Sequence, residues 1–247
     1  MPWRDTRNYY QILVSEIMLQ QTQVSTVLKK YPGFIKQFPN FRTLARAPQS
    51  AVLREWQGLG YNRRAIALKK IAIAVVKTDG KLPRSIEDLD ALPGIGHATA
   101  SSIAVFAFNV PTVFIETNIR RVFIHHFFKN RKKVADSELL PLIEQVLDPK
   151  NPREWYFALM DYGAWLGKTT VNPNRRSRHY VKQKPFTGSR RELRGKMLRL
   201  LLKKRKLSAK EMGAYLKTSP TELGTILKAL QKEGFIRKTA NGFSLKR

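Results

Sequence analysis

The 247-residue sequence contains no cysteine. Disulfides, cysteine-ligated zinc, thiolate nucleophiles and cysteine-held iron–sulfur clusters are excluded together. Histidine is nearly as scarce, with four residues of which His125 and His126 are adjacent, so a metal enzyme is not expected and no metal ligands are assigned. No run approaches the roughly 20 apolar residues that a membrane helix needs. The opening Met1-Pro2-Trp3-Arg4-Asp5 has no apolar signal core either, so the expected location is the cytoplasm, with no membrane partner. Acidic residues are few: 18 stand against 46 Lys and Arg, a formal net charge of +28. A field of that sign and size favours a polyanion, with nucleic acid first and ribosomal or membrane-surface roles behind it. Apolar residues, at 43%, are plentiful enough for one large domain or two small ones.

Glycine turns organise what is present. In Leu92-Pro93-Gly94-Ile95-Gly96-His97-Ala98-Thr99, Pro93-Gly94 stops a short helix that Ser85 can cap, and small residues start a second helix reaching Phe108. Such a hairpin over 86–108 points main-chain N–H groups and a helix N-terminus outward, which suits an anion; an ordinary turn between packed helices is the plain alternative. Gly58-Leu59-Gly60-Tyr61 is a second glycine turn, followed by Arg63-Arg64 and a long helix.

Apolar residues at helical spacing predict helices from Tyr9 to about Lys30, interrupted by Gln20-Gln21-Thr22-Gln23. Further helices are expected near 50–56, 65–77, 119–128, 136–147 and 152–165, with Pro32-Gly33 and Pro39-Asn40 as punctuation. Residues 1–167 therefore read as all-helical. Residues 168–190 are polar and basic and read as a loop or linker. Residues 191–247 change again: three helices precede two short strands around Asn241-Gly242, a hairpin signal. That is the plan of a small α+β winged helix-turn-helix domain, which binds DNA or protein.

Two carboxylates could carry chemistry. Helical spacing puts Glu16 beside Ile12, Leu13 and Gln20, and a carboxylate among apolar neighbours has a raised pKa that suits a general acid. A boundary glutamate reaching solvent or a structural partner is the bland reading. Glu116 opens a helix, where the dipole alone favours it; the functional reading is a carboxylate facing a developing positive charge. One protonated and one ionised carboxylate are what glycosidic cleavage through an oxocarbenium-like state requires. Gln20, Gln21, Gln23 and Tyr61 are candidates to enter a base stack or bond base edges, and His97 and Arg63 to contact phosphate, although each is also ordinary surface chemistry.

Together, Pro2-Trp3-Arg4, Ser15 to Val24, Gly58 to Tyr61, Leu92 to Gly96 and Asp161-Tyr162-Gly163-Ala164 resemble the helix-hairpin-helix base-excision DNA glycosylases, and within them the MutY-type adenine glycosylases. The resemblance covers nearly all of residues 2–190. It implies two helical subdomains with a cleft between, a monomer acting on double-stranded DNA with a damaged or mispaired base, and a base flipped out of the stack. Glu16, Glu116 and Asn118 would form the catalytic set, with Glu16 protonating adenine and handling the water. Arg4, Leu19, Gln20 and Asp161 would frame the base. Gln21, Gln23, Tyr61, Arg63, Gly94, Gly96, His97, Ala98 and Thr99 would meet DNA, with Tyr61 as the wedge. No cofactor is required, although in the family the hairpin carbonyls can hold a monovalent cation.

The departures from the family shape the expectation. Glu116 stands where the family has aspartate, adding a methylene. Ala98 stands where bifunctional relatives carry a lysine nucleophile, so no lyase step is expected. The cluster cysteines are missing from 165–190, which implies a clusterless loop held by packing and hydrogen bonds. A winged helix stands in place of the family's 8-oxoguanine-checking domain, and the helix preceding Pro2-Trp3-Arg4 is absent. The expected activity is removal of adenine mispaired with 8-oxoguanine or guanine. A thymine, uracil or hypoxanthine glycosylase on the same fold, and a non-catalytic DNA-binding protein, remain the rivals.

Overall fold

A computed structural model of the chain describes residues 1–182 and 185–246. Thirteen helices appear among them: α1 Tyr9–Leu19, α2 Val24–Gln37, α3 Phe41–Arg46, α4 Gln49–Glu55, α5 Arg63–Lys77, α6 Ile86–Asp90, α7 His97–Phe108, α8 Thr117–Phe127, α9 Asp136–Val146, α10 Pro152–Thr169, α11 Arg190–Lys204, α12 Ala209–Leu216 and α13 Pro220–Lys232. The strands are β1 Lys206–Leu207, β2 Ile236–Thr239 and β3 Gly242–Leu245. They fall into two compact units. Met1–Trp3, Ile17–Lys81 and the described part of Lys184–Arg247 make one; Arg4–Glu16 and the described part of Leu82–Gln183 make the other.

In the first unit, the turn expected at Pro32-Gly33 does not form, and α2 runs through it. Val27, Tyr31 and Phe34 are buried at helical spacing on both sides of the proline. Burying side chains of that size contributes about 1.5–3 kcal/mol each, enough to offset the hydrogen bond that Pro32 removes. Phe34 meets Phe38 and Trp56 edge-on at 5.0 and 5.8 Å. The C-terminal stretch of this unit has the winged plan, with sheet order β1-β3-β2, all antiparallel, over Met197, Leu201, Leu223, Ile226, Leu230 and Phe235. Thr239 pairs with Gly242, so the two-residue turn is Ala240-Asn241, one position earlier than the Asn241-Gly242 signal. Gly242 is needed for another reason: a Cβ there would sit 2.3 Å from the Leu207 carbonyl oxygen, so only glycine lets β1 pass this close.

The second unit buries the face of α8 with Ile119, Val122, Phe123 and Ile124 among Phe106, Phe114, Leu139, Ile143, Tyr156 and Leu166. Residues 168–190, expected as an extended linker and including 183 and 184 outside the described residues, begin instead with the last turn of α10. A 3-10 turn over Pro173–Arg176 follows, and Ser177 forms a parallel bridge with Val134. Pro173, Asn174 and Ser177 are buried, so residues 173–177 are part of the core wall.

Candidate active site and DNA-facing loops

Glu16 lies on α1, between buried Ser15 and Ile17, and is itself half-buried. Burial pushes its carboxyl up to about 7; the Glu116 charge adds to the rise, while a hydrogen bond from Ser102 and the Arg4 charge oppose it. The Ser102 hydroxyl lies 2.7 Å from Glu16 Oε2 and 2.9 Å from the Thr99 carbonyl. One hydroxyl proton serves two states. It points to Glu16 when the carboxylate is ionised, and to Thr99 when protonated Glu16 donates to the serine oxygen. Ser102 is a residue that the sequence reading missed, since it stands in an apolar helix and looked like a small packing residue.

Glu116 is the N-cap of α8. Its Oε1 accepts from the N–H groups of Asn118 and Ile119 at 2.7 and 2.9 Å. Burial raises its pKa, opposed by those two N–H groups and by the Arg121 and Arg120 charges. The longer side chain folds back onto its own helix, so the extra methylene is taken up by the cap. Asn118 Nδ2 donates to Glu116 Oε2 at 3.4 Å, and Asn118 Oδ1 accepts from Arg121 at 2.8 Å. Arg121 also donates to the Gly163 carbonyl and to Asn172 Oδ1. Asn174 donates to the Thr117 carbonyl at 2.9 Å, and Arg176 to the carbonyls of Ile124, Phe128 and Lys129. The segment after α10 thus grips α8 at both ends.

Arg4 forms a bidentate pair with Asp161, at 2.7 and 2.9 Å, and its guanidinium lies 4.5 Å from the centre of the Phe157 ring. Buried Arg153, which the sequence reading also missed, donates to the carbonyls of Arg4 and Thr6 at 2.8 and 2.6 Å and so fixes the segment carrying Arg4. Glu16, Glu116, Asn118, Arg4 and Asp161 all belong to the second unit. Leu19 and Gln20 belong to the first.

In the first unit, one buried arginine joins the two polar turns. Arg64 donates to the carbonyls of Ile17 and Met18 at the end of α1, to Thr22, and to the carbonyls of Leu59 and Gly60. The four N–H groups on its two terminal nitrogens serve this spread of acceptors, while the buried Nε–H makes no hydrogen bond. The turns carry exposed Gln21 and Gln23 on one side and Tyr61 on the other, with Gln21 at φ 52° and Tyr61 at φ 44°. Arg63, expected to face phosphate, has its Nε and NH2 on Glu233 at 2.8 Å each.

In the second unit, Ser85 caps α6 as expected, accepting from the Asp88 N–H at 3.1 Å. Gly94 is left-handed at φ 77°, which is what the hairpin needs of it. Gly96 is different: it is extended, at φ −115°, and a Cβ there would meet nothing within 4 Å. Its missing side chain leaves open space in front of the first-turn N–H groups of α7, beside exposed His97 and Ala98 and half-buried Thr99.

A cysteine-ligated iron–sulfur cluster does not fit the segment after α10. It offers no thiolate, and just before it, in the last turn of α10, the Arg121 guanidinium lies so close to Gly167 that a Cβ there would be 2.5 Å from it. Among the described residues, no three His, Cys, Asp or Glu gather as metal ligands would. No helix among them is long and apolar enough to cross a membrane.

Helices α6 and α7 with the glycine turn between them, set in a helical chain, give the fold of the helix-hairpin-helix DNA glycosylases. The family model described as HhH-GPD superfamily base excision DNA repair protein matches residues 14–145, and the chain belongs to that superfamily. It is 40% identical over 168 residues to the adenine DNA glycosylase of Buchnera aphidicola subsp. Baizongia pistaciae, covering 67% of this chain and 48% of that one. It is 30% identical over 261 residues to the adenine DNA glycosylase of Mycolicibacterium smegmatis, covering 98% and 89%. Among solved structures, a thermostable thymine-DNA glycosylase superposes with a TM-score of 0.58 at 28% identity, over 66% of this chain and 77% of that one. The chain spans about half the length of the three Buchnera relatives it matches.

Proposed function

We propose that the protein is a monofunctional DNA glycosylase that removes adenine paired with 8-oxoguanine or guanine, acting as a monomer on double-stranded DNA. The observation that carries this reading is Glu16, an acid kept protonated near neutral pH by burial, with a hydroxyl partner that serves it in both protonation states. Glu16 donates its proton to a ring nitrogen of the flipped adenine as the bond from C1′ to the base breaks, and the bonding pair leaves with the base. The Glu116 carboxylate, within electrostatic reach of Glu16, faces the positive charge that develops on the sugar. Water then bonds to C1′ and gives its proton to the Glu16 carboxylate, restoring the acid. Arg4, Leu19, Gln20 and Asp161 frame the base, and Gln21, Gln23 and Tyr61 meet the DNA. The α7 N-terminus, with Gly94, Gly96, His97, Ala98 and Thr99, takes the backbone phosphate. A monovalent cation, if bound as in the family, would be held by the hairpin carbonyls and would supply positive charge beside the phosphate.

The names of the relatives support adenine, and the thymine-DNA glycosylase among the structural neighbours supports a second reading, removal of a mispaired thymine. Duplexes with A opposite 8-oxoguanine, A opposite G, T opposite G, U opposite G, and hypoxanthine, each treated with alkali after incubation, separate them. Strand breaks at A are expected. Breaks only at a pyrimidine would overturn the adenine reading, and no breaks at all would leave a DNA-binding protein. Scission without alkali would contradict the monofunctional reading, which rests on Ala98.

A further inference from the structure

Tyr61 is an aromatic residue in left-handed backbone, at φ 44°, closing a turn whose Gly58 and Gly60 lie at φ 95° and 71°. Side chains other than glycine enter that region at a cost, and persist there when their surroundings fix them. The residue is 38% exposed, and two guanidinium groups hold its ring. Arg64, anchored on four backbone carbonyls, lies 5.6 Å from the ring centre. Arg191, in the first turn of α11, lies 5.8 Å from it and donates to the Tyr61 hydroxyl at 2.7 Å.

The helix carrying Arg191 is itself locked to the same loop. Glu233, at the end of α13, accepts from Arg194 of α11 at 3.0 and 2.6 Å and from Arg63 at 2.8 Å twice. Gln49 donates to the Gly234 carbonyl at 3.1 Å. The C-terminal domain is therefore clasped at residues 49, 61 and 63 by charged and polar groups. A clasp that gathers on the one strained, exposed tyrosine is placed to control that side chain.

We propose that the C-terminal domain takes part in opening the duplex, with Arg191 as a positioning residue that fixes the Tyr61 ring in the orientation from which it enters the base stack. This rests on the glycosylase reading, under which Tyr61 is the wedge. Arg191 then acts through the tyrosine and not as a phosphate contact of its own. The C-terminal domain is part of the base-opening apparatus, where a tethered module would bind DNA independently.

The test is a double-mutant cycle on the full chain with Arg191→Ala, Tyr61→Phe and the pair, read by fluorescence of a duplex carrying 2-aminopurine opposite guanine. That signal rises when the base leaves the stack, whether or not it is cut. Each single variant is expected to lower the flipped fraction by roughly fivefold to tenfold, with the double no worse than either, because both remove one interaction. Arg191→Lys, which keeps a donor within reach of the hydroxyl, should recover most of the signal. Affinity for an undamaged duplex and the melting temperature should stay close to wild type in Arg191→Ala and Arg191→Lys. Additive losses, or a matching loss of affinity for undamaged duplex, would overturn the proposal and make Arg191 a phosphate ligand. A wild-type chain that flips 2-aminopurine but leaves adenine uncut would sink the adenine reading and leave this one standing. A chain that cuts adenine while Arg191→Ala flips normally would do the reverse.

Discussion

A proton that stays on Glu16 up to about pH 7 has consequences for rate and for stability, and both decline as pH rises. The single-turnover rate should be highest where the acid is protonated and fall as pH rises through about 7, measured on an A-opposite-8-oxoguanine duplex. Folding stability follows from linkage. The folded chain holds this proton more tightly than the unfolded one, so the contribution is full below the ordinary value of 4.5 and is lost as pH climbs through about 7. Glu16→Gln keeps a neutral side chain at all pH. It should abolish cleavage, retain binding, and exceed the wild type in denaturant stability at pH 8 by about 1–3 kcal/mol, with a smaller gain at pH 5. Ser102→Ala removes a bond that favours the ionised form, so the alkaline limb of the rate profile should move to higher pH. At Glu116, aspartate would cap the same two N–H groups, and Glu116→Asp is expected to hold its melting temperature within about 2 °C. Glu16 stood out as a carboxylate inside an apolar helical pattern, but the pattern alone fitted a boundary glutamate as well, and its catalytic role came from the resemblance. Ser102 was not, since a small hydroxyl in an apolar helix signals nothing until the fold brings residue 16 against residue 102.

At the scale of elements, local signals were read well where they are local. Ser85 caps α6, Glu116 opens α8 and Gly94 turns the hairpin, each within a few residues of its effect. The break foreseen at Pro32-Gly33 failed because burial on both sides of the proline outweighed one lost hydrogen bond. Composition alone read the segment after α10 as a loop or linker, and the resemblance read it as a loop held by packing and hydrogen bonds; the hydrogen bonds are there, made by polar side chains to backbone carbonyls. Asn174 and Arg176 bind α8 across more than 40 positions of sequence, a pairing no periodicity reports. Removing Arg176, which bonds three carbonyls at the end of α8, should cost about 1–3 kcal/mol by denaturant titration. Gly163 is the tighter constraint, since a Cβ there would stand 2.3 Å from the Asn118 carbonyl oxygen. Gly163→Ala must push α10 off α8 and should lower stability by about 1–3 kcal/mol or more while displacing Asn118, so its cleavage rate should fall further than that of Arg176→Ala at equal stability.

For the whole molecule, the charge of +28 is the property a sequence states most directly. Affinity for duplex DNA should fall steeply with salt, by a hundredfold or more between about 50 and 200 mM if several phosphates are neutralised, and a flat salt profile would refute the electrostatic reading. Membership of the base-excision superfamily was equally legible, because its motifs are short, ordered and carried by consecutive residues. What the winged plan concealed was its attachment. Three helices and a hairpin look the same whether tethered or docked, and the docking rests on single residues, Gln49, Tyr61 and Arg63 on one side and Arg191, Arg194 and Glu233 on the other. Their carboxylate, Glu233, is held down to about 2, chiefly by its bond to Arg63 with Arg194 adding to it, so the clasp stays charged throughout the range in which DNA is handled.

The grip of Asn172, Asn174 and Arg176 on α8 also ties this fold to what a cell must supply. Amides and a guanidinium are made with the chain; they need no iron delivery, no assembly machinery and no protection from peroxide. This wall of the protein is therefore complete as soon as the chain has folded.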